Sequence, residues 1–174
     1  MKDWGQPLKW NDKPQVKKGN LGEKIVDEYF EGQKYIIYKP ITNAPHLIDR
    51  LYVKDKKQLI FADVKTKAKR NKYPDTGFNH KHYEEYKMLQ EMGLMVWIFF
   101  VDEAEGTVYG NTLEELSKEC VIQHNGKTIK YPWIWGEIIY FHRDIMDVIH
   151  LLSEGEVEEI KSYNTRKYEY ENCR

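Results

Sequence analysis

Asp63-Val-Lys65 sets a carboxylate and an ammonium two residues apart in the apolar segment Gln58–Thr66. Side chains alternate along a strand, so residues 63 and 65 project from the same side as Phe61, while Ile60, Ala62 and Val64 point the other way. Asp49 stands in the preceding segment, His46–Val53, between Leu47 and Leu51. If a turn at Asp55–Lys57 joins the two segments as a hairpin, Asp49 and Asp63 come side by side. Two carboxylates in apolar strands repel each other unless something cationic sits between them, and a divalent cation with oxygen ligands resolves this. Such a site suits phosphodiester hydrolysis. The metal polarises the phosphate and lowers the pKa of a bound water, while Lys65 orients that water or stabilises the developing charge. Glu23, near the start of the first helix expected from the sequence, offers a third carboxylate.

Each of these residues also has an ordinary reading. Glu23 follows Asn20 by three residues, as in a helix capping box. Asp49 can be an edge-strand charge that limits aggregation. Asp63 and Lys65 can be a same-face ion pair, worth little if exposed. It is their co-occurrence, with a basic stretch directly afterwards, that favours the metal site. Residues 50–72 hold nine basic and two acidic residues, a net +7 in a chain whose total is −1. A near-neutral protein with one strongly basic segment is compatible with a localised polyanion site, and a solvated lysine-rich loop is the alternative. Lys67, Lys69, Arg70 and Lys72 are the candidate phosphate contacts.

Other chemistries find less support. His80 and His82 lie two apart on an expected helix and so do not share a face. Gly19-Asn-Leu-Gly22 lacks the spacing and Lys-Ser/Thr ending of a P-loop. No Gly-x-Ser-x-Gly is present, which argues against a serine hydrolase of that type.

The elements that must position these residues can be read from periodicity. Residues 1–18 read as an extended arm with Trp4 and Trp10 as anchors. A helix is expected from Asn20 to Gly32, with Leu21, Ile25, Val26, Tyr29 and Phe30 as its apolar stripe. Strands are expected at Lys34–Lys39, His46–Val53 and Gln58–Thr66, then a loop over Lys67–Gly77. A helix over Asn79–Met92 follows, on which Lys81, Lys87 or Gln90 could face the site. The apolar run Leu94–Val101 reads as a central strand. Thr112 and Glu115 suggest another capping box, and Asn125-Gly126 a type I′ hairpin turn. Trp133–Phe141 reads as a strand, Asp144–Leu152 as a helix and 153–174 as a charged tail.

With 174 residues, 41% hydrophobic and 32% charged, the chain can bury a core without disulfides or a structural metal. Its longest apolar run is too short to span a membrane as a helix, and Met1–Lys13 has no secretory character. Cys120 and Cys173 show no metal spacing, so a reduced, cytoplasmic setting is expected.

Taken together, Glu23 in Gly-Asn-Leu-Gly-Glu, Asp49 in His-Leu-Ile-Asp, and Asp63-Val-Lys65 followed by Thr66-Lys67 resemble the PD-(D/E)XK nuclease superfamily. That superfamily includes type II restriction enzymes and archaeal Holliday junction resolvases. The resemblance covers about residues 19–101. It implies an α/β (α+β) fold with a restriction-endonuclease-like core, a mixed central sheet flanked by helices; one domain is expected over 19–152, and residues 102–174 fall outside the core that resembles the family. It implies a magnesium-dependent nuclease, with manganese substituting, acting on duplex or branched DNA. Asp49 and Asp63 would be the metal ligands, Lys65 the catalytic lysine and Glu23 an auxiliary acid. Resembling enzymes often dimerise to cut two strands, so a homodimer is the corresponding expectation. This sequence departs from the pattern in having Ile48, rather than Pro, before Asp49. A catalytically weak or inactive module on the same fold, holding nucleic acid or a protein, is the alternative.

Overall fold

The computed structural model of the chain describes residues 9–41, 47–55, 58–70 and 72–164. After a 3-10 turn at Trp10–Asp12 come α1 (Pro14–Gly32), β1 (Ile36–Tyr38), β2 (Arg50–Lys54), β3 (Gln58–Thr66) and β4 (Asp75–Asn79). Then follow α2 (His80–Glu91), β5 (Val96–Asp102), β6 (Thr107–Thr112), α3 (Leu113–Leu116), β7 (Cys120–His124) and β8 (Lys127–Tyr131). The rest are β9 (Trp133–Trp135), β10 (Ile138–His142), a 3-10 turn, β11 (Asp147–Leu151) and α4 (Glu154–Ser162).

A six-stranded mixed sheet in the order β1-β2-β3-β5-β6-β11 organises the molecule. Its strands pair antiparallel except β3 and β5, which run parallel at its centre. The period-2 pattern of β3 divides the core as the sequence implies. Ile60, Ala62 and Val64 face α1 and join Phe30, Tyr52, Phe99 and Val101. Phe61 points to the opposite face, where Ile98 and Phe100 meet α2, α3 and β10. Burying such a side chain contributes about 1.5–3 kcal/mol. β5 is the most buried strand and lies inside the sheet, as its unbroken apolar run predicts.

α1 starts at Pro14, six residues before the expected Asn20. Proline suits the first helical position because its φ is pre-set and its missing N–H has no intrahelical partner there. Asn20 and Glu23 therefore lie inside the helix, and the capping-box reading of Glu23 falls. The 9–18 part of the expected extended arm is mostly helical, and Trp10 is exposed beneath Lys13. Trp4 lies outside the described residues. Gly22 sets the approach of α1 to β3, because a Cβ there would fall 1.8 Å from Thr66 Oγ1.

Further along, the expected loop 67–77 ends early, since Asp75–Gly77 enter β4 and pair with β10. Asn79 caps α2 by accepting from Lys81 N, and Thr112 caps α3 by accepting from Glu115 N. The expected strand Trp133–Phe141 is two strands, β9 and β10, bent at Gly136, whose φ is +58°. The expected helix 144–152 is a 3-10 turn followed by β11. Val148 and Ile149 are β-branched, and the open edge of β6 supplies the ladder that decides between helix and strand. The expected charged tail begins with α4, whose Ile160 is fully buried in the α1-side core. Among the described residues no helix is long and apolar enough to cross a membrane.

Candidate active site

β2 and β3 pair antiparallel with Arg50 opposite Ala62. One further step in that register sets Asp49, just before β2, against Asp63. Asp49 N donates to Ala62 O at 3.0 Å, and Asp49 Oδ2 accepts from Val64 N at 2.9 Å. The expected juxtaposition is therefore present. Lys56 and Lys57 of the expected turn, and His46, lie outside the described residues.

Asp63 is buried, 3% exposed. Lys65 Nζ donates to its Oδ1 at 2.9 Å and lies 2.7 Å from Oδ2. Oδ2 is nevertheless without a hydrogen bond of acceptable geometry. Burial pushes the Asp63 carboxyl up to about 7; the Lys65 ammonium opposes this, and the Asp49 charge reinforces it. The Lys65 ammonium thus offsets only part of the cost of burying the Asp63 charge. Tyr86 on α2 faces Asp63. Burial raises its pKa most, followed by the charge of Asp63, which its hydroxyl faces.

Glu23, expected as an auxiliary acid, pairs with Arg50. Its Oε2 lies 2.8 Å from Arg50 Nη2. Burial raises the Glu23 pKa first, then the Asp49 charge, while Arg50 lowers it. Arg50 also donates through Nε to Asp27 at 2.9 and 3.0 Å, and through Nη1 to the Asp49 carbonyl at 2.7 Å. The Tyr52 hydroxyl and Lys39 complete the shell of the buried Asp27. Among the described residues no group of three or more His, Cys, Asp or Glu is arranged to hold a metal ion. Asp49 and Asp63 are the pair that could contribute to one.

The basic loop divides in two. Arg70 makes a bidentate pair with fully buried Asp75, Nε and Nη2 each at 2.6 Å, and its guanidinium lies 3.9 Å from the Tyr140 ring centroid. Tyr131 donates to the same carboxylate at 2.9 Å. Lys69 pairs with Glu105, and its N–H donates to Asp102 at 3.0 Å. These two basic residues fasten the loop to β4, β5 and β10. Lys67 and Lys72 are exposed, Lys67 also donating to the Gly77 carbonyl at 3.2 Å. On α2, Lys81 turns to Glu85 and Lys87 lies over Tyr83, so Tyr86 is the residue that addresses Asp63.

Arg50, Asp27, Tyr86 and Asp75 were not singled out from the sequence. Asp27 follows Glu23 by four residues and so shares its helix face, a readable signal. Arg50 adjoins Asp49, but its turn toward α1 depends on how the helix lies across the sheet.

No family model matches the chain, and no curated protein matches it. Among solved structures, the fold is similar to Hjc of Archaeoglobus fulgidus, a Holliday junction resolvase. That match has 8% identity and a TM-score of 0.49, covering 74% of this chain and 86% of that one. It is also similar to D212, a nuclease from a fusselovirus, with 10% identity and a TM-score of 0.42, covering 92% and 97%.

Proposed function

We propose that this chain is a divalent-metal-dependent nuclease that hydrolyses phosphodiester bonds in DNA. The observation that carries this reading is the Asp49–Asp63 pair, held side by side with Lys65 at the end of β3. The fit to a cation rests on chemistry visible in the site. Asp63 Oδ2 is buried with the Lys65 ammonium 2.7 Å away but no hydrogen bond of acceptable geometry, and its carboxyl is pushed up to about 7 chiefly by burial, with Asp49 adding to it and Lys65 opposing it. Magnesium needs only one or two carboxylates, with waters and substrate phosphate filling its shell. When bound by Asp49 and Asp63, it would supply a water of lowered pKa and polarise the phosphate.

The remaining work belongs to the chain. Lys65, partly exposed, presents a compact ammonium at the mouth of the site, where it donates to a phosphate oxygen and offsets charge developing in the transition state. The Val64 N–H fixes the Asp49 carboxylate, so the pair is oriented before substrate arrives. Arg50 holds Glu23 beside Asp49 and ties the β2 entry to α1. Glu23 is an auxiliary acid and not a ligand in this arrangement. Lys67 and Lys72 contact the backbone phosphates.

The pairing of Glu23 with Arg50 also favours a second reading, a nucleic-acid-binding module with little or no catalysis. Incubation with plasmid, linear duplex, single-stranded and four-way-junction DNA, with and without magnesium, separates the two. Magnesium-dependent cleavage of any substrate supports the nuclease. Binding without cleavage in magnesium or manganese leaves the module.

A further inference from the structure

The tip of the β7–β8 hairpin takes no part in the site above. Its turn at Asn125 and Gly126 has positive φ at both residues, 49° and 75°, as a type I′ turn requires. The turn brings the hairpin tip against the loop that follows β3. His124 Nε2 lies 2.8 Å from the Lys72 carbonyl oxygen, and its ring lies 5.9 Å from that of Tyr73. Between tip and loop opens a cleft of about 530 Å³, lined by Lys72, Tyr73, His124, Asn125 and Lys127.

Two of those five residues are cations and none is acidic. Lys72 and Lys127 are exposed, and neither makes an ion pair among the described residues. Neighbouring cations differ in this respect, since Lys69, Arg70 and Lys130 each face a carboxylate. Tyr73 is already packed on Arg70, 4.5 Å away, and on Trp133, so it forms a wall of the cleft and not a free stacking surface. An uncompensated pair of lysines beside an amide side chain suits an anion with several acceptor oxygens. The loop leaves β3 directly after Lys65 and Thr66, which links the cleft to the strand that carries the chemistry.

We propose that this cleft grips a phosphate of the DNA backbone through Lys72 and Lys127, with Asn125 as a neutral donor, as an anchor apart from the Asp49–Asp63 centre. The assignment rests on the nuclease reading and adds to it a contact carried by the hairpin. Such an anchor contributes to binding and leaves the chemical step alone.

The test compares the double variant Lys72→Gln/Lys127→Gln with Lys24→Gln/Lys81→Gln. The latter removes the same charge from exposed positions on α1 and α2. Duplex DNA binding is measured in calcium over a range of salt, and single-turnover cleavage in magnesium at saturating enzyme. Losing the one phosphate contact that the two lysines share should lower the slope of log affinity against log salt by about 0.9 in the cleft variant. The helix variant should keep the wild-type slope. An unchanged slope in the cleft variant, or an equal fall in the helix variant, overturns the cleft. If the wild type binds DNA but does not cleave it, the nuclease reading fails while the slopes still decide the cleft. Absence of wild-type binding at low salt overturns the cleft outright.

Discussion

Glu23 and Arg50 form a direct ion pair across the α1–β2 contact, 2.8 Å between Oε2 and Nη2. The same guanidinium holds buried Asp27, so Arg50 is the pin on which the acidic side of the site turns. Arg50→Ala leaves Asp27 buried with a reduced shell of partners. A loss of about 3–5 kcal/mol is expected, read from urea unfolding. Arg50→Lys should recover only part, because one ammonium cannot reproduce the fork that reaches Asp27, Glu23 and the Asp49 carbonyl.

Two glycines of α1 should respond in opposite ways to alanine. A Cβ on Gly19 would meet nothing within 4 Å, so Gly19→Ala should gain up to about 1 kcal/mol from helix propensity. At Gly22 a Cβ would fall 1.8 Å from Thr66 Oγ1, so Gly22→Ala should lose about 1–3 kcal/mol. Adding Thr66→Ala to Gly22→Ala should restore much of the loss. Thermal unfolding of wild type and these three variants checks the pattern.

The basic loop should separate into structural and substrate-facing residues. Arg70→Ala leaves Asp75, which is fully buried, without its cation, and should cost about 3–5 kcal/mol of stability. Lys67→Ala should cost little stability but lower the salt slope of duplex binding by about 0.9. Urea unfolding and salt-dependent binding on both variants distinguish the roles.

Stability of the metal-free protein should depend on pH through Asp63. Its folded carboxyl is pushed up to about 7, whereas the unfolded group titrates near the ordinary value of about 4. Between those values the folded state holds a proton that the unfolded state has lost. Stability should therefore fall as pH rises from about 4 to about 7 and level off above, at no more than about 1.4 kcal/mol per pH unit for this group. Urea midpoints in chelator should show a steeper fall for wild type than for Asp63→Asn. The difference matters because burial also raises Glu23 and Asp102.

What the sequence made legible was local. Alternation in Gln58–Thr66 placed Ile60, Ala62 and Val64 opposite Asp63 and Lys65, and the hairpin set Asp49 against Asp63. Asn125-Gly126 dictated its own turn through the need for positive φ. What escaped depended on contacts between elements distant in the chain. Asp144–Leu152 has mixed periodicity, and only the open edge of β6 makes it a strand. Arg70 reads as a phosphate contact in a row of lysines, but Asp75, Tyr131 and Tyr140 claim it. Glu23 reads as a cap because Pro14, nine residues earlier, is easily taken for part of an extended arm.

Single-turnover DNA cleavage at saturating enzyme and magnesium, for wild type, Asp63→Asn and Lys65→Ala, decides whether the Asp49–Asp63 pair is the reacting centre. Binding of the same DNA in calcium serves as the control for folding and substrate contact. Wild type should cleave in a magnesium-dependent way, and Asp63→Asn should show no cleavage above background. Lys65→Ala should be slowed by about 10²–10³, and all three should bind DNA. Cleavage by Asp63→Asn at the wild-type rate would contradict the assignment of the Asp49–Asp63 pair as that centre.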